Sequence, residues 1–194
     1  MVGAMEELVS FAEPRPVKLT VDDFAVLHRA GALDHVRRAE LIEGVITEMS
    51  PLRSRHAVLT SRLMVRGTAA LEAIGSPLMM VTTPTITLPP HNAPEPDLVI
   101  ARIAEDDFYI DGKDVALVIE VSFATLRFDL TTKRDLYAQG GIPELWVVDG
   151  EAGRVHQFWR PIDGAYREMR EFSLQDELRS ATLPNLAIDG AGIG

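Results

Sequence analysis

A glutamate inside an apolar run is the first residue of this sequence that could do chemistry. Glu120 interrupts the segment Val115–Ser122, whose other residues are those of a central strand buried on both faces. An ionised carboxylate is costly to desolvate there unless it is paired, hydrogen-bonded or bound to a metal ion. The alternative is a glutamate at a strand end that leans into solvent or pairs with an arginine. The residue alone leaves both interpretations open.

A second carboxylate, Asp97, begins another short strand, Asp97–Ala101. Pro96, which cannot donate to a sheet ladder, stiffens the chain just before it. Aspartate is also common in turns, where it needs no chemical role. Two carboxylates at matching places on adjacent strands, however, form a cradle for a hard cation. Mg²⁺ prefers one or two carboxylates together with waters and phosphate oxygens.

A lysine follows on the next predicted helix. Asp129, Lys133 and Tyr137 are spaced four residues apart and share one helix face. An exposed Asp–Lys pair at this spacing is worth only about 0.3–0.5 kcal/mol. The functional alternative directs Lys133 at the two carboxylates, where its charge would orient a water or stabilise a phosphoryl transition state.

Start and stop signals predict the elements that come before these residues. Thr20 is a residue of the N-cap type, acids occupy the first turn after it, and Gly31 ends the helix. The segment Glu40–Met49 predicts two short strands that turn at Glu43–Gly44.

The longest helical candidate, Ser54–Ile74, carries a basic stripe. Arg55, Arg62 and Arg66 are 7 and then 4 residues apart and so lie on one face. The charge of the chain is also polarised, since residues 49–71 hold four arginines and no acid.

The remaining pattern predicts an α/β fold with one mixed sheet flanked by helices and additional C-terminal antiparallel strands. A helix over Asp129–Gln139 stops at two glycines. We expect an arm over residues 1–17 and a single domain over residues 18–194. The predicted strands after residue 75 are Leu78–Leu88, Asp97–Ala101, Val115–Ser122, Glu144–Asp149, Arg154–Arg160, Ala165–Phe172 and, as an added edge strand, Ser180–Asp189.

Composition excludes several classes of function. The absence of cysteine rules out disulfides, thiolate-bound zinc and thiol catalysis. The net charge of −10 argues against binding nucleic acid over the whole surface, though not against a local basic patch. Nothing resembles a secretory signal or a membrane span, so we expect a cytoplasmic protein. Protease, P-loop and dinucleotide-binding motifs are missing.

Taken together, the ordered segments resemble the PD-(D/E)xK nuclease superfamily, and within it the Uma-two family of endonucleases. The resemblance covers about residues 20–188, and its pieces are specific only in combination. They are Glu40–Gly44, Met49–Pro51, His56, Pro96–Leu98, Ile119–Ser122, Asp129–Tyr137 and Gly141–Asp149.

The resemblance implies a metal-dependent endonuclease acting on DNA. Asp97, Glu120 and the carbonyl of Val121 would bind Mg²⁺ or Mn²⁺, and Glu40 would be a further acid of the site or a surface residue. The superfamily's lysine lies two residues after the acid, where this chain has Ser122. The family pattern moves the lysine to the next helix and so implies Lys133 as the catalytic cation. Arg127 and Lys113 are the fallback cations.

The identity of the substrate and of any partner is left with alternatives. The DNA backbone would be held by positively charged or imidazole side chains, namely His56, Arg55, Arg62, Arg127 and Arg134. An inactive nuclease-fold module that binds nucleic acid or a protein is the main alternative. A hydrolase of smaller phosphate esters is another. The exposed edges of the C-terminal strands also suggest a homodimer.

Overall fold

The computed structural model describes residues 15–49, 53–104 and 108–194. Most of the predicted arm, Ser50–Pro51 of the resemblance and residues 105–107 lie outside these ranges. No helix within them is long and apolar enough to cross a membrane. The helices are α1 (Val21–Arg29), α2 (Ser54–Ala73), α3 (Leu126–Phe128), a π-helical segment (Asp129–Lys133) and α4 (Arg134–Gln139), with a 3-10 turn at Gly112–Asp114.

Twelve strands are formed by the described residues. In chain order they are β1 (Ala39–Ile42), β2 (Val45–Glu48), β3 (Met79–Thr82), β4 (Ile86–Thr87), β5 (Leu98–Ala101), β6 (Ile110–Asp111), β7 (Val115–Ser122), β8 (Glu144–Asp149), β9 (Arg154–Ile162), β10 (Ala165–Ser173), β11 (Glu177–Arg179) and β12 (Ala187–Asp189).

Six of these strands form the main sheet, in the order β10-β9-β8-β7-β5-β3. The β7–β8 pair is parallel and the other pairs are antiparallel. The predicted mixed sheet is therefore confirmed. Strands β7 and β8 lie at its centre, which explains their almost unbroken apolar sequences.

Both faces of the sheet are covered. One face packs against α2 and the C-terminal strands, around side chains such as Leu63, Trp146 and Ile188. The other face packs against the helical stretch 126–139, around Leu136, Tyr137 and Val147. The β1–β2 hairpin and α1 form a third, smaller cluster around Phe24 and Leu41. The segment that carries Lys133 is thus held against the sheet by its apolar neighbours.

Two local signals in the sequence correctly predicted local structure. Thr20 caps α1 through a reciprocal bond with Asp23, whose carboxylate accepts the Thr20 backbone N–H at 2.8 Å. The turn between β1 and β2 has positive φ at Glu43 (51°) and Gly44 (81°). That is the geometry of a two-residue hairpin.

Two strand predictions were wrong in extent. The run Leu78–Leu88 is divided into β3 and β4, because Thr83 has a φ of 47° and Pro84 follows it. The segment Ser180–Asp189 does not extend the main sheet. Only its end, β12, is a strand, and it pairs with β11 in a separate sheet. The edge strands of the main sheet are β10 and β3.

A fully buried carboxylate joins the sheet to the C-terminal region. Glu144, at the start of β8, is 0% exposed. Its oxygens accept hydrogen bonds from Trp146 Nε1 at 2.6 Å, from Ser180 Oγ at 2.7 Å, from Thr182 Oγ1 at 2.7 Å and from Gln157 Nε2. The backbone N–H groups of residues 181 and 182 also donate to it. This concentration of donors replaces the water that the carboxylate loses on folding.

Candidate active site

Asp97 lies directly before β5 and is 4% exposed. Its Oδ2 accepts the backbone N–H of Val121 at 2.8 Å and lies 3.1 Å from Nε2 of His56. Its Oδ1 lies 3.6 Å from the guanidinium of Arg38. Both oxygens are thus oriented by neighbouring elements.

Glu120 lies beside Asp97 because of the strand register. The antiparallel β5–β7 pairing sets Leu98 opposite Ile119. Asp97, just before Leu98, therefore lies beside Glu120, just after Ile119. Glu120 is 4% exposed, and its Oε1 accepts the hydroxyl of Tyr137 at 2.6 Å. Burial raises the pKa of Glu120 to about 8, against the opposing charge of Lys133. The buried carboxylate predicted from the sequence therefore has close hydrogen-bonding and charged partners.

Lys133 completes this contact network. Its side chain is 2% exposed, and Nζ lies 2.9 Å from Glu40 Oε1 and 3.1 Å from Glu120 Oε1. Burial alone would lower the pKa of Lys133, but the carboxylates of Glu120 and Glu40 outweigh it and raise that pKa above its ordinary value. The ammonium therefore keeps its proton. The alternative in which Asp129 and Lys133 form an exposed ion pair is wrong, because both side chains are buried.

The π-helical segment accounts for the placement of this lysine. It lies between α3 and α4 and contains Lys133 at its end. A π-helical turn holds one more residue than an α-helical turn, and such turns are frequent at functional sites. Asp129, at the start of the segment, accepts the hydroxyls of Ser122 at 2.6 Å and Thr125 at 2.7 Å.

Glu40 supports Lys133 from the other side. It lies on β1 and is 0% exposed, so the surface interpretation of this residue is wrong. Its Oε1 accepts from Lys133 and from the backbone N–H of Glu95 at 3.1 Å. Among the described residues, nothing forms a hydrogen bond with its Oε2. Glu40 therefore contacts Lys133 but does not line the cavity described next.

A cavity of about 630 Å³ opens above the two carboxylates. Its lining combines acids, cations and aromatic rings. The residues that matter most are Arg38, Arg53, Arg55, His56, Asp97, Glu120, Val121, Phe123, Phe128, Asp129 and Lys133. Concave sites of this size are typical of ligand binding.

The sequence did not indicate that Arg38 and Asp129 line the cavity. Arg38 forms an ion pair with Glu95 at 3.0 Å and faces Asp97, contacts that no local pattern encodes. Asp129 was noted only as a helix neighbour of Lys133, although burial raises its pKa and it lines the cavity. The spacing of Asp129, Lys133 and Tyr137 was the available signal, because all three side chains point inward.

Only some of the residues expected to hold a DNA backbone lie at the cavity. Arg55 lines the cavity and forms an ion pair with Glu151, while His56 contacts Asp97. Arg62 donates to the backbone carbonyl of residue 193 at 3.0 Å, and Arg66 donates to that of residue 191 at 2.6 Å. The stripe is thus largely occupied by the C-terminal segment. Arg127 is exposed, and neither it nor Arg134 lines the cavity.

The donor set fits a hard divalent cation. In the described part of the chain, no group of three or more His, Cys, Asp or Glu residues has the arrangement of a metal site. Mg²⁺, however, needs only one or two protein carboxylates, the number that Asp97 and Glu120 would supply. The buried carboxylates around the cavity also outnumber its buried cations: Glu40, Asp97, Glu120 and Asp129 accompany Lys133 and the partly buried Arg38. A bound cation would offset that excess.

Comparisons with known proteins agree on a nuclease fold. The family model Uma2, described as "Putative restriction endonuclease", matches residues 22–191. A solved structure described as a putative nuclease belonging to DUF820, from Anabaena variabilis ATCC 29413, superposes with a TM-score of 0.65 at 15% identity. The match covers 90% of this chain and 97% of that one, and at this identity it shows the fold alone. No curated protein matches the chain.

Proposed function

The chain belongs to the Uma2 family of restriction-endonuclease-like proteins, and from that premise we propose that it is a divalent-metal-dependent endonuclease that hydrolyses DNA. One observation carries the proposal. Asp97 and Glu120 are adjacent and almost fully buried, yet both line an open cavity together with Lys133. A site with only a structural role would have no reason to direct its buried charges into a cavity.

Asp97, Glu120 and the backbone carbonyl of Val121 would hold Mg²⁺ or Mn²⁺. When bound, the ion would polarise the scissile phosphate and lower the pKa of a water. The hydrogen bonds from Val121 and His56 to Asp97 fix the orientation of that carboxylate before any ligand arrives. Such preorganisation is how a protein reduces the cost of reorganisation during the reaction.

The chain's own residues would supply the remaining chemistry. Lys133, held protonated and in place by Glu40, would orient the attacking water and stabilise the charge that develops on the phosphate. The 20-residue helix α2 begins at the cavity, with Arg53 and Arg55 beside it and no acid in its first turn. Helix N-termini favour anions, so this end of α2 would hold a backbone phosphate.

Metal removal provides the direct test of this function. We expect Mn²⁺ to bind the wild-type protein in calorimetry and to support plasmid cleavage that a chelator stops. Asp97→Asn should weaken Mn²⁺ binding by more than about tenfold, because one of two carboxylate ligands is lost. Asp111→Asn changes an acid outside the cavity and should leave binding unchanged.

Three outcomes would redirect the proposal. Absence of Mn²⁺ binding up to millimolar concentration would indicate an inactive nuclease-fold module. Turnover of a small phosphate diester without plasmid cleavage would indicate a hydrolase of smaller esters. Metal-dependent cleavage that is unchanged in Asp97→Asn would place the active site elsewhere.

We also propose that the protein forms a homodimer through β10. This strand is an edge of the main sheet, and within the described ranges no strand pairs with its outer side. Its central sequence, Arg167–Glu171, reads Arg-Glu-Met-Arg-Glu. Antiparallel pairing of two copies about a two-fold axis at Met169 sets Arg167 opposite Glu171 of the second copy and Glu168 opposite Arg170. Met169, at the axis, is 57% exposed.

Charge exchange on β10 tests the homodimer. The variants Arg167→Glu/Arg170→Glu and Glu168→Arg/Glu171→Arg each set like charges opposite one another, so we expect both to sediment as monomers. Their equimolar mixture should restore a dimer, because opposite charges then face each other. The ion pairs lost within each chain, such as Arg160–Glu168, are exposed and contribute little to stability. A wild-type monomer at all concentrations, or a mixture that stays monomeric, contradicts this interface.

A further inference from the structure

The cavity lining has an unusual composition for a site that meets only a phosphate backbone. One short stretch after β7 contributes Phe123, Ala124, Thr125 and Phe128, which form an apolar and aromatic part of the lining. Arg38, Arg53 and Arg55 contribute a basic part. Proteins that bind single-stranded nucleic acid combine these two elements, because bases stack on aromatic rings while cations hold the phosphates.

The depth of the carboxylates limits what can reach them. Asp97 and Glu120 are each 4% exposed, below a cavity of about 630 Å³. Pockets of roughly 300–1,000 Å³ enclose one small molecule, which corresponds to one or two nucleotides. A paired and stacked duplex cannot enter such a space, whereas one strand with its bases unstacked can.

Phe123 is held firmly in the cavity lining. Its ring lies against Gly150, where an added Cβ would collide with it. The guanidinium of Arg55, which also lines the cavity, lies 4.3 Å from the ring centroid, and the centroid of the His56 ring lies at 6.3 Å. This arrangement presents the planar guanidinium of Arg55, supported by Phe123, to an incoming nucleotide.

Phe128 provides a second aromatic ring in the cavity lining. It is half-buried at the end of α3 and lines the cavity. Within the described ranges, no aromatic ring stacks on Phe128 and no cation lies over it. Because the side chain is only half-buried and lines the cavity, its accessible part faces the space that a base would enter. Phe128 directly precedes the π-helical segment that ends at Lys133, so a base bound there would lie near the charged network.

We propose that the substrate is single-stranded DNA, or the unpaired end or flap of a duplex, with one base stacked on Phe128. This inference rests on the proposed function, since it assigns the substrate class of the same site. The basic residues Arg38, Arg53 and Arg55 hold the phosphates on either side of that base. The net charge of −10 agrees with a short, enclosed contact rather than an extended duplex interface.

Binding measurements with three oligonucleotides test this substrate class. The probes are a single strand containing 2-aminopurine, a blunt duplex of the same sequence and that duplex with a single-stranded tail, all in Ca²⁺ buffer. We expect the single strand and the tailed duplex to bind at least about tenfold more tightly than the blunt duplex, with the 2-aminopurine emission quenched by stacking. Phe128→Ala should weaken single-strand binding by about ten- to hundredfold and remove the quenching.

Matched variants and cleavage assays separate the possible failures. Phe128→Trp should restore both binding and quenching, whereas Phe108→Ala, a phenyl group outside the cavity, should change neither. Equal affinity for single strand and blunt duplex, or an unaltered Phe128→Ala variant, overturns the inference. Mn²⁺-dependent cleavage of blunt duplex at the rate of single strand also overturns it while leaving the nuclease intact. If no DNA is cleaved, the proposed nuclease function fails. The relative affinities for single strand and duplex then still show whether a base stacks on Phe128.

Discussion

Replacing Lys133 with Met is expected to lower the free energy of unfolding by about 3–5 kcal/mol and to slow metal-dependent DNA cleavage by about 10²–10³-fold. The methionine keeps most of the side-chain length but removes the charge. Glu40 and Glu120, whose side chains are 0% and 5% exposed, would then be buried without their cation. Denaturant unfolding measures the first effect, and initial cleavage rates measure the second.

A double variant separates the structural role of Lys133 from its chemical role. Glu40→Gln/Lys133→Met exchanges one buried carboxylate for a neutral amide, so it should recover part of the lost stability. Its cleavage activity should remain low, because the cation is still missing. Recovery of cleavage together with stability would mean that Lys133 acts only by holding the fold.

Lys113 provides the matched control. It is an exposed lysine that forms an ion pair with Asp111, and it was a fallback candidate for the catalytic cation. Lys113→Met should change stability by less than about 0.5 kcal/mol and leave the cleavage rate unchanged. A loss of activity in this variant instead of Lys133→Met would transfer the catalytic role to Lys113.

The second large effect is expected at Glu144. Its removal in Glu144→Ala leaves hydrogen-bond donors of Trp146, Gln157, Ser180 and Thr182 without an acceptor. Hydrogen bonds to a charged group are worth about 1.5–3 kcal/mol each, so a total loss of about 4 kcal/mol or more is expected. For a domain of this size the melting temperature should fall by roughly 8–16 °C.

Two control variants separate the loss of the buried acceptor at Glu144 from the loss of a carboxylate in general. Glu177→Ala removes an exposed carboxylate on β11 and should shift the melting temperature by no more than about 2 °C. Glu144→Gln keeps the shape and one acceptor oxygen, so it should fall between wild type and Glu144→Ala. A Glu144→Ala protein as stable as wild type would mean that water replaces the carboxylate at little cost.

The candidate site was most predictable where a local sequence pattern coincides with the cost of burying a charge. Glu120 stood out because a carboxylate in an apolar strand needs a partner, and the register of β5 and β7 places Asp97 beside it. The family pattern singled out Lys133 and Glu40 from a distance of 93 residues, and the structure brings them to 2.9 Å. Thr20 and the Glu43–Gly44 turn were predicted because caps and hairpin turns depend on neighbouring residues alone.

Contacts between segments far apart in the sequence could not be predicted. The periodicity of α2 correctly placed its arginines on one face, but nothing local shows that the C-terminal segment lies across Arg62 and Arg66. Arg38 approaches Asp97 through the fold of the β1–β2 hairpin, not through sequence spacing. The aromatic lining of the cavity was also hidden, since Phe123 and Phe128 stand in a turn and a short helix without periodicity.

The extra residue in the turn between Asp129 and Lys133 makes the length of the chain part of the site. In an α-helix each residue advances the direction of the side chain by about 100°. Deleting Leu130, Thr131 or Thr132 would convert the wide turn to an ordinary one and change the directions of Lys133 and Tyr137 relative to Asp129. Both Lys133 and Tyr137 would then lose their alignment with Glu120, even with every site residue retained. Between Glu120 and Tyr137, the number of residues constrains this protein as strictly as their identity.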